Sequence, residues 1–160
     1  TAEGGTTLFY ATVLEKVNEE GRVITVDIDP KVDQASQFKL FREKVQVIRG
    51  NSVSPEVIRQ IAEQVKDRKV LVTLDSDHSK NHVLKELELY SPLVSLNSYI
   101  VVQDTHFYGH PTKDYNYEGG GPSEAVREFL KTNDHFSIDA ERSKKFTITF
   151  YPSGYLKRVK

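Results

Sequence analysis

Four short apolar runs, each closed by polar residues and three of them followed by a helical pattern, limit what this chain can fold into. They are "RVITVDID", "VQVIRGNS", "KVLVTLD" and "SYIVVQD". Val23, Ile24 and Val26 in the first are β-branched and favour extended backbone. "KVLVTLD" and "SYIVVQD" are continuously apolar, as strands buried on both faces are. The intervening segments have helical spacing. "TTLFYATVLEKVNEE" places Leu8, Phe9, Thr12, Val13 and Val17 at helical intervals and stops at Gly21. "SPEVIRQIAEQVKDR" starts with Ser54 as N-cap and Pro55 at the first helical position. "NHVLKELELYSPLV" puts Val83, Leu84, Leu87 and Tyr90 on one side. Alternating strands and helices imply a mostly parallel sheet with helices on both faces. The tail differs: "SEAVREFLKTN" reads as a helix, then "HFSID" and "KKFTITFYP" as strands. In the latter, over 145–151, Phe146, Ile148 and Phe150 alternate with Thr147 and Thr149, the pattern of a half-buried strand. Without repeats or linkers, the 160 residues read as a single domain.

In parallel sheets of this kind, ligands bind beyond the carboxyl ends of the strands. Four successive strands here end in polar residues: Asp27 and Asp29, Asn51 and Ser52, Asp75, then Gln103 and Asp104. A lone aspartate after a strand is more often a turn former than a ligand. The coincidence across four strands favours a site. A net charge of -1 gives no general attraction to nucleic acid or to anionic membrane, so neither partner is expected. With no cysteine there is no thiol nucleophile and no thiolate metal site, which fits a reducing compartment such as the cytoplasm. No apolar stretch is long enough to span a membrane.

The ends of the strands suggest two kinds of ligand. "AEGGTT" runs straight into a helix. Gly4 and Gly5 would let backbone approach a ligand, and the helix N-terminus offers N–H groups to an anion. Asp27 follows about twenty residues on, where an acid that binds a ribose diol is expected. The spacing suits a cofactor carrying an adenosine, either a dinucleotide or S-adenosylmethionine. Asp75, Gln103 and Asp104 are oxygen donors on adjacent strand ends, which suits Mg²⁺ or another hard divalent cation. Such an ion could hold a substrate hydroxyl and lower its pKa. His78 could then accept the proton, or it could be a helix-start histidine bonded to backbone. Asp77 reads as the N-cap of a helix beginning near Ser79 or Lys80, and His82 as a neighbour one turn beyond His78.

The succession "AEGGTTLF", "ITVDIDP", "IRGNSVSPEV", "LVTLDSDHSKNHVLKELELYSPLVSLNSYIVVQDT" and "GPSEAVREFL…FTITFYPSGYLKRVK" resembles the cephalosporin hydroxylase family, which includes rhamnosyl O-methyltransferase-like proteins. The resemblance covers nearly the whole chain. It implies the class I methyltransferase fold, a Rossmann-like, doubly wound α/β sheet whose last strand is antiparallel. That fold starts with a strand before the glycine turn, so residues upstream of Thr1 are expected and 1–160 would be one N-terminally incomplete domain. The resemblance further implies S-adenosylmethionine at Gly4 and Gly5, its ribose at Asp27 and its adenine near Asn51 and Ser52. It places a cation on Asp75, Gln103 and Asp104, and the general base on His78. Relatives often have Glu-Asp where this chain has Gln103-Asp104. The neutral amide should weaken the metal or leave it to the other donors.

The segment Thr105 to Pro122 is long for a loop and suits a lid or binding loop. Phe107, Tyr108, Tyr115 and Tyr117 could line an acceptor pocket, with His106 and His110 beside them. Alternatively, these aromatics pack on the sheet edge or on a second copy in a homo-oligomer. Three functions follow. One is a cation-assisted O-methyltransferase acting on a small-molecule hydroxyl of a sugar or secondary metabolite. Another is a hydroxylase using iron through His78, His82 or His106 with Asp75. The last is a non-catalytic cofactor-binding subunit.

Overall fold

A computed structural model describes residues 3–107, 119–145 and 147–160. They form two compact units, Thr1–Ile61 and Ala62–Lys160.

In the first unit, α1 (Gly5–Val17) leads into β1 (Val23–Asp27). A 3₁₀ segment (Pro30–Gln37), α2 (Lys39–Lys44) and β2 (Val45–Arg49) follow, and α3 (Pro55–Val65) begins in this unit and ends past its last residue. β1 and β2 are parallel and in register from Val23↔Val45 to Asp27↔Arg49, so Asp27 and the Asn51–Ser52 turn lie at the same end of the pair. Val32, Ala35 and Phe41 form a small core, with Leu8, Val45 and Val47 packed against it. Lys44 is buried beside that core because its ammonium is matched: Nζ lies 2.7 Å from Glu15 Oε2 and also donates to the Glu19 carbonyl. The 3₁₀ segment and α2 have no clear periodicity in the sequence. Pro30 starts the former, and the Asp29 side chain accepts from Lys31 N–H at 2.9 Å.

The second unit contains β3 (Val72–Leu74), α4 (Lys80–Tyr90), β4 (Tyr99–Val102) and α5 (Pro122–Thr132). After them come β5 (Phe136–Ile138), the short α6 (Ala140–Lys144) and β6 (Tyr155–Arg158). The strand order is β3-β4-β6-β5. β3 and β4 are parallel, so Asp75 and the Gln103–Asp104 pair follow the same end of the sheet. β6 is antiparallel to both of its neighbours. α4 and α5 pack on each other. Val83, Leu87, Ala125, Val126 and Phe129 are buried on these two helices. Each of the larger ones is worth about 1.5–3 kcal/mol. The α/β class and the antiparallel last strand agree with expectation. Among the described residues the strands form two separate ladders, one of two strands and one of four.

The expected strand over 145–151 is not there. Described residues 147–150 are irregular, Thr147 has φ 66°, and Ile148 and Phe150 are 81% and 63% exposed. Phe146 lies outside the described residues. The ladder instead uses Tyr155–Arg158, where Leu156 is fully buried opposite Ile100 and Ile138. Gly154 makes this register possible. A Cβ there would stand 2.2 Å from the Val102 carbonyl oxygen, too close for any side chain. The Gly154 carbonyl accepts Val102 N–H at 2.8 Å and opens the pairing.

Candidate active site

The first unit supplies candidate binding groups at the ends of α1, β1 and β2. Gly4 has φ 83°, a left-handed conformation, and caps α1 through its carbonyl, which accepts Leu8 N–H at 2.9 Å. Its missing side chain is used inside the unit. A Cβ at Gly4 would lie 2.7 Å from Ala35 Cβ and 2.9 Å from the Val32 carbonyl. Gly5 is the open glycine, exposed and with nothing within 4 Å of an added Cβ. Among the described residues no side chain caps the start of α1, and its first turn has no acid. The N-terminal N–H groups and the positive end of the helix dipole therefore suit an anion. At the end of β1, half-buried Asp27 accepts Asp29 N–H at 2.8 Å. After β2, exposed Asn51 accepts Val53 N–H at 3.0 Å, while Ser52 is half-buried.

In the second unit the side chains interlock. His78 Nε2 lies 3.4 Å from Asp75 Oδ1 and 3.4 Å from Asp104 Oδ2. One ligand atom from each of Asp75, His78 and Asp104 lies within 4.8 Å of the others. Metal–ligand bonds of roughly 2–2.5 Å put neighbouring donors about 3–4 Å apart, so this is a spacing one ion can span. The imidazole is 13% exposed. The Asp75 carboxylate raises the His78 pKa above its usual range, against burial, which lowers it; Asp104 and Asp77 add to the rise. Asp104 has φ 55°, left-handed for a residue with a side chain, at a cost of about 1–2 kcal/mol. This conformation ends β4 and starts the 3₁₀ turn Thr105–Phe107.

Three surrounding contacts hold these groups. Asp77 Oδ1 accepts Ser79 N–H at 2.7 Å. It thus closes the turn ahead of α4, whose N-cap is Ser79 rather than Asp77 itself. The Ser79 bond pulls the Asp77 pKa down. Gly120 caps the same region, since its carbonyl accepts Lys80 N–H at 3.0 Å. Finally, residues 149–152 close onto residues 103–106. Tyr151 O–H donates to Gln103 Oε1 at 3.1 Å, and Thr105 Oγ donates to the Pro152 carbonyl at 2.7 Å. His106 Nδ1 lies 2.9 Å from the Phe150 carbonyl and must carry its hydrogen there.

The expected donors thus divide. Asp75 and Asp104 converge, and His78 joins them more closely than a base waiting nearby would need to. The buried Gln103 presents its oxygen to Tyr151. His82 faces Glu86, with Nε2 3.5 Å from Oε1, and His106 Nδ1 stands 3.8 Å from Asp104 Oδ1. Tyr108, His110, Tyr115 and Tyr117 lie outside the described residues. The sequence reading missed two groups: Tyr151, 48 positions from Gln103, and the buried carboxylate of Glu86, which accepts Ser76 Oγ–H at 2.7 Å. Glu86 is one of three charged residues in "VLKELELY", with Lys85 and Glu88, so the sequence did not mark it as the buried one. No described helix is long and apolar enough to cross a membrane.

Parallel strand pairs, an antiparallel final strand and candidate groups at the carboxyl ends are the features of a class I methyltransferase fold. A solved structure described as an rRNA methylase from Clostridium thermocellum shares it, with a TM-score of 0.56 over 86% of this chain and 74% of that one. At 21% identity the likeness concerns the fold alone. The chain belongs to the Rhamnosyl O-methyltransferase/CmcI family, whose model matches residues 1–159. Proteins named rhamnosyl O-methyltransferase from Mycobacterium bovis and Mycobacterium tuberculosis are 36% identical to it over 99% of its length. The one from Mycobacterium leprae is 35% identical over 97%. The chain spans 64% of the first two and 67% of the third.

Proposed function

We propose that this chain carries the donor- and cation-binding groups of an S-adenosylmethionine-dependent O-methyltransferase acting on a sugar hydroxyl. The observation that carries this reading is the convergence of Asp75, His78 and Asp104 in a chain of this family. The two carboxylates are hard oxygen donors that fit a divalent cation, Mg²⁺ or Mn²⁺, with the imidazole beside them. When bound, such an ion supplies positive charge that acidifies a hydroxyl, and S-adenosylmethionine supplies the electrophilic methyl group.

The chain's own groups take the other roles. Asp75 and Asp104 fix the cation's place, and Gln103 can add a neutral oxygen while it still accepts from Tyr151. His78 Nε2 accepts the proton of the acceptor hydroxyl. In the first unit, Asp27 accepts from the ribose hydroxyls, the N–H groups at Gly5 receive the carboxylate of the methyl donor, and Asn51 and Ser52 lie by the adenine. Gly4 serves by shaping the turn.

The test is a reaction of the full-length protein with S-adenosylmethionine, Mg²⁺ or Mn²⁺ and rhamnose-containing glycosides, read by product mass. A gain of one methyl group that is lost with a chelator is expected. Hydroxylation dependent on iron and 2-oxoglutarate, or no binding of S-adenosylmethionine, would overturn the reading.

A further inference from the structure

The buried carboxylate of Glu86 has no role in the steps above, yet it sits where a leucine would be expected. Glu86 is 2% exposed, on α4 between the buried residues Val83 and Leu87. Its Oε1 accepts Ser76 Oγ–H at 2.7 Å and lies 3.5 Å from His82 Nε2. Its Oε2 is buried and finds no hydrogen-bond partner among the described residues. A charge held this way is poor value as a stabilising contact, because burial penalises it and half of it is unmatched. Apolar residues of similar size serve stability as well or better in such places. What the carboxylate does achieve is local. Ser76 is the residue between Asp75 and the Asp77–His78 pair, so Glu86 ties the middle of that turn to a rigid helix. Groups of this kind orient metal-binding side chains without touching the ion.

We propose that Glu86 is a positioning residue that, through Ser76, holds the 75–78 turn so that Asp75 and His78 face Asp104. This rests on the cation reading above. The test is Mn²⁺ affinity, read by electron paramagnetic resonance on the full-length protein without methyl donor or acceptor. The variants are Ser76→Ala, Glu86→Leu, Glu86→Gln and the Ser76→Ala/Glu86→Leu double.

Ser76→Ala and Glu86→Leu should each weaken Mn²⁺ about 10–100-fold, and the double variant should lose no more than the weaker-binding single. Glu86→Gln keeps an oxygen for Ser76 and should retain most of the affinity. Melting curves should show Glu86→Leu at least as stable as the parent, which separates positioning from general damage. Unchanged affinity in either single variant overturns the proposal, as do additive losses in the double. A Glu86→Gln variant as weak as Glu86→Leu also overturns it, because the effect would then come from charge and not from the bond. A parent protein that binds no Mn²⁺ overturns the cation reading and this inference with it.

Discussion

Asp27 and Asp75 both follow parallel strands, but their surroundings differ. Asp27 accepts from the Asp29 N–H of its own turn. Asp75 shares His78 with Asp104 from the neighbouring strand, and its turn is tied to Glu86 and closed by Asp77. The Asp27–Asp29 bond closes within three residues, and Arg49 at the end of β2 adds its charge beside the same carboxylate. The Asp75 arrangement draws on β3, β4 and α4. Local groups can bind a flexible ligand by adapting to it. A small ion needs several donors held within a few tenths of an ångström, which takes long-range support. The difference between the units follows from what each is proposed to hold.

Four experiments test this contrast. The largest effect is expected at Asp75. Asp75→Asn should reduce turnover more than His78→Ala, because alignment of reactants can supply roughly 7–11 kcal/mol while a general base contributes about 10²–10⁴-fold. Methyl-transfer rates against pH should show partial alkaline rescue of His78→Ala and none of Asp75→Asn. Equal rescue of both would remove the distinction between the two residues.

Next comes a contrast within "GG". Gly4→Ala meets a left-handed backbone and contacts with Ala35 and Val32, so it should destabilise by about 2–4 kcal/mol. Gly5→Ala meets no contact and should be close to neutral in stability. Urea midpoints for the two variants decide it, and similar midpoints would return Gly4 to the role of a ligand-facing turn.

Asp27→Ala should weaken S-adenosylmethionine by about 1.5–3 kcal/mol through loss of a charged acceptor, with Mn²⁺ affinity intact. Calorimetry showing both affinities reduced would mean that the two sets of groups do not act separately.

The smallest effect is one of pH on the metal-free protein. His78 has its pKa raised in the folded state above an unfolded value of about 6.5. The stabilisation is therefore complete below about pH 6.5 and is lost as pH rises through the raised folded value. In a chelator, Tm should fall over that window, at ~2–4 °C per kcal/mol lost, and His78→Gln should flatten the curve. A parent Tm that rises with pH there would reverse the sign and contradict the pairing.

Much of this was legible because strand ends follow chain order. The runs at Val23–Asp27, Val45–Arg49, Val72–Leu74 and Tyr99–Val102 carry their own β-branched signal, so Asp75 and Asp104 could be placed side by side without coordinates. His78 was legible because it starts the next helix. What could not be read depends on contacts with no period. Glu86 reaches Ser76 across ten positions and Tyr151 reaches Gln103 across 48. Alternation misled at 145–151, where Ile148 and Phe150 have the right spacing for a strand but stay exposed. The ladder went instead to "YLKR", in which Leu156 alone is buried, because Gly154 lets the chain come against Val102. A steric opening outweighed a hydrophobic pattern, and a single glycine in a sequence does not announce that.

The closure of residues 149–152 over residues 103–106 also bears on the order in which the protein is made. On a ribosome, β3, α4 and β4 emerge well before residues 150–158, so Asp104 emerges without its later supports. Bringing those partners together closes a loop of more than forty residues, a slower event than local helix formation. A nascent chain arrested after α5 would therefore hold α4 and its turn but lack the finished end of β4. Competence to bind the proposed cation should appear late in synthesis, in step with β6, and not with the residues proposed to hold it.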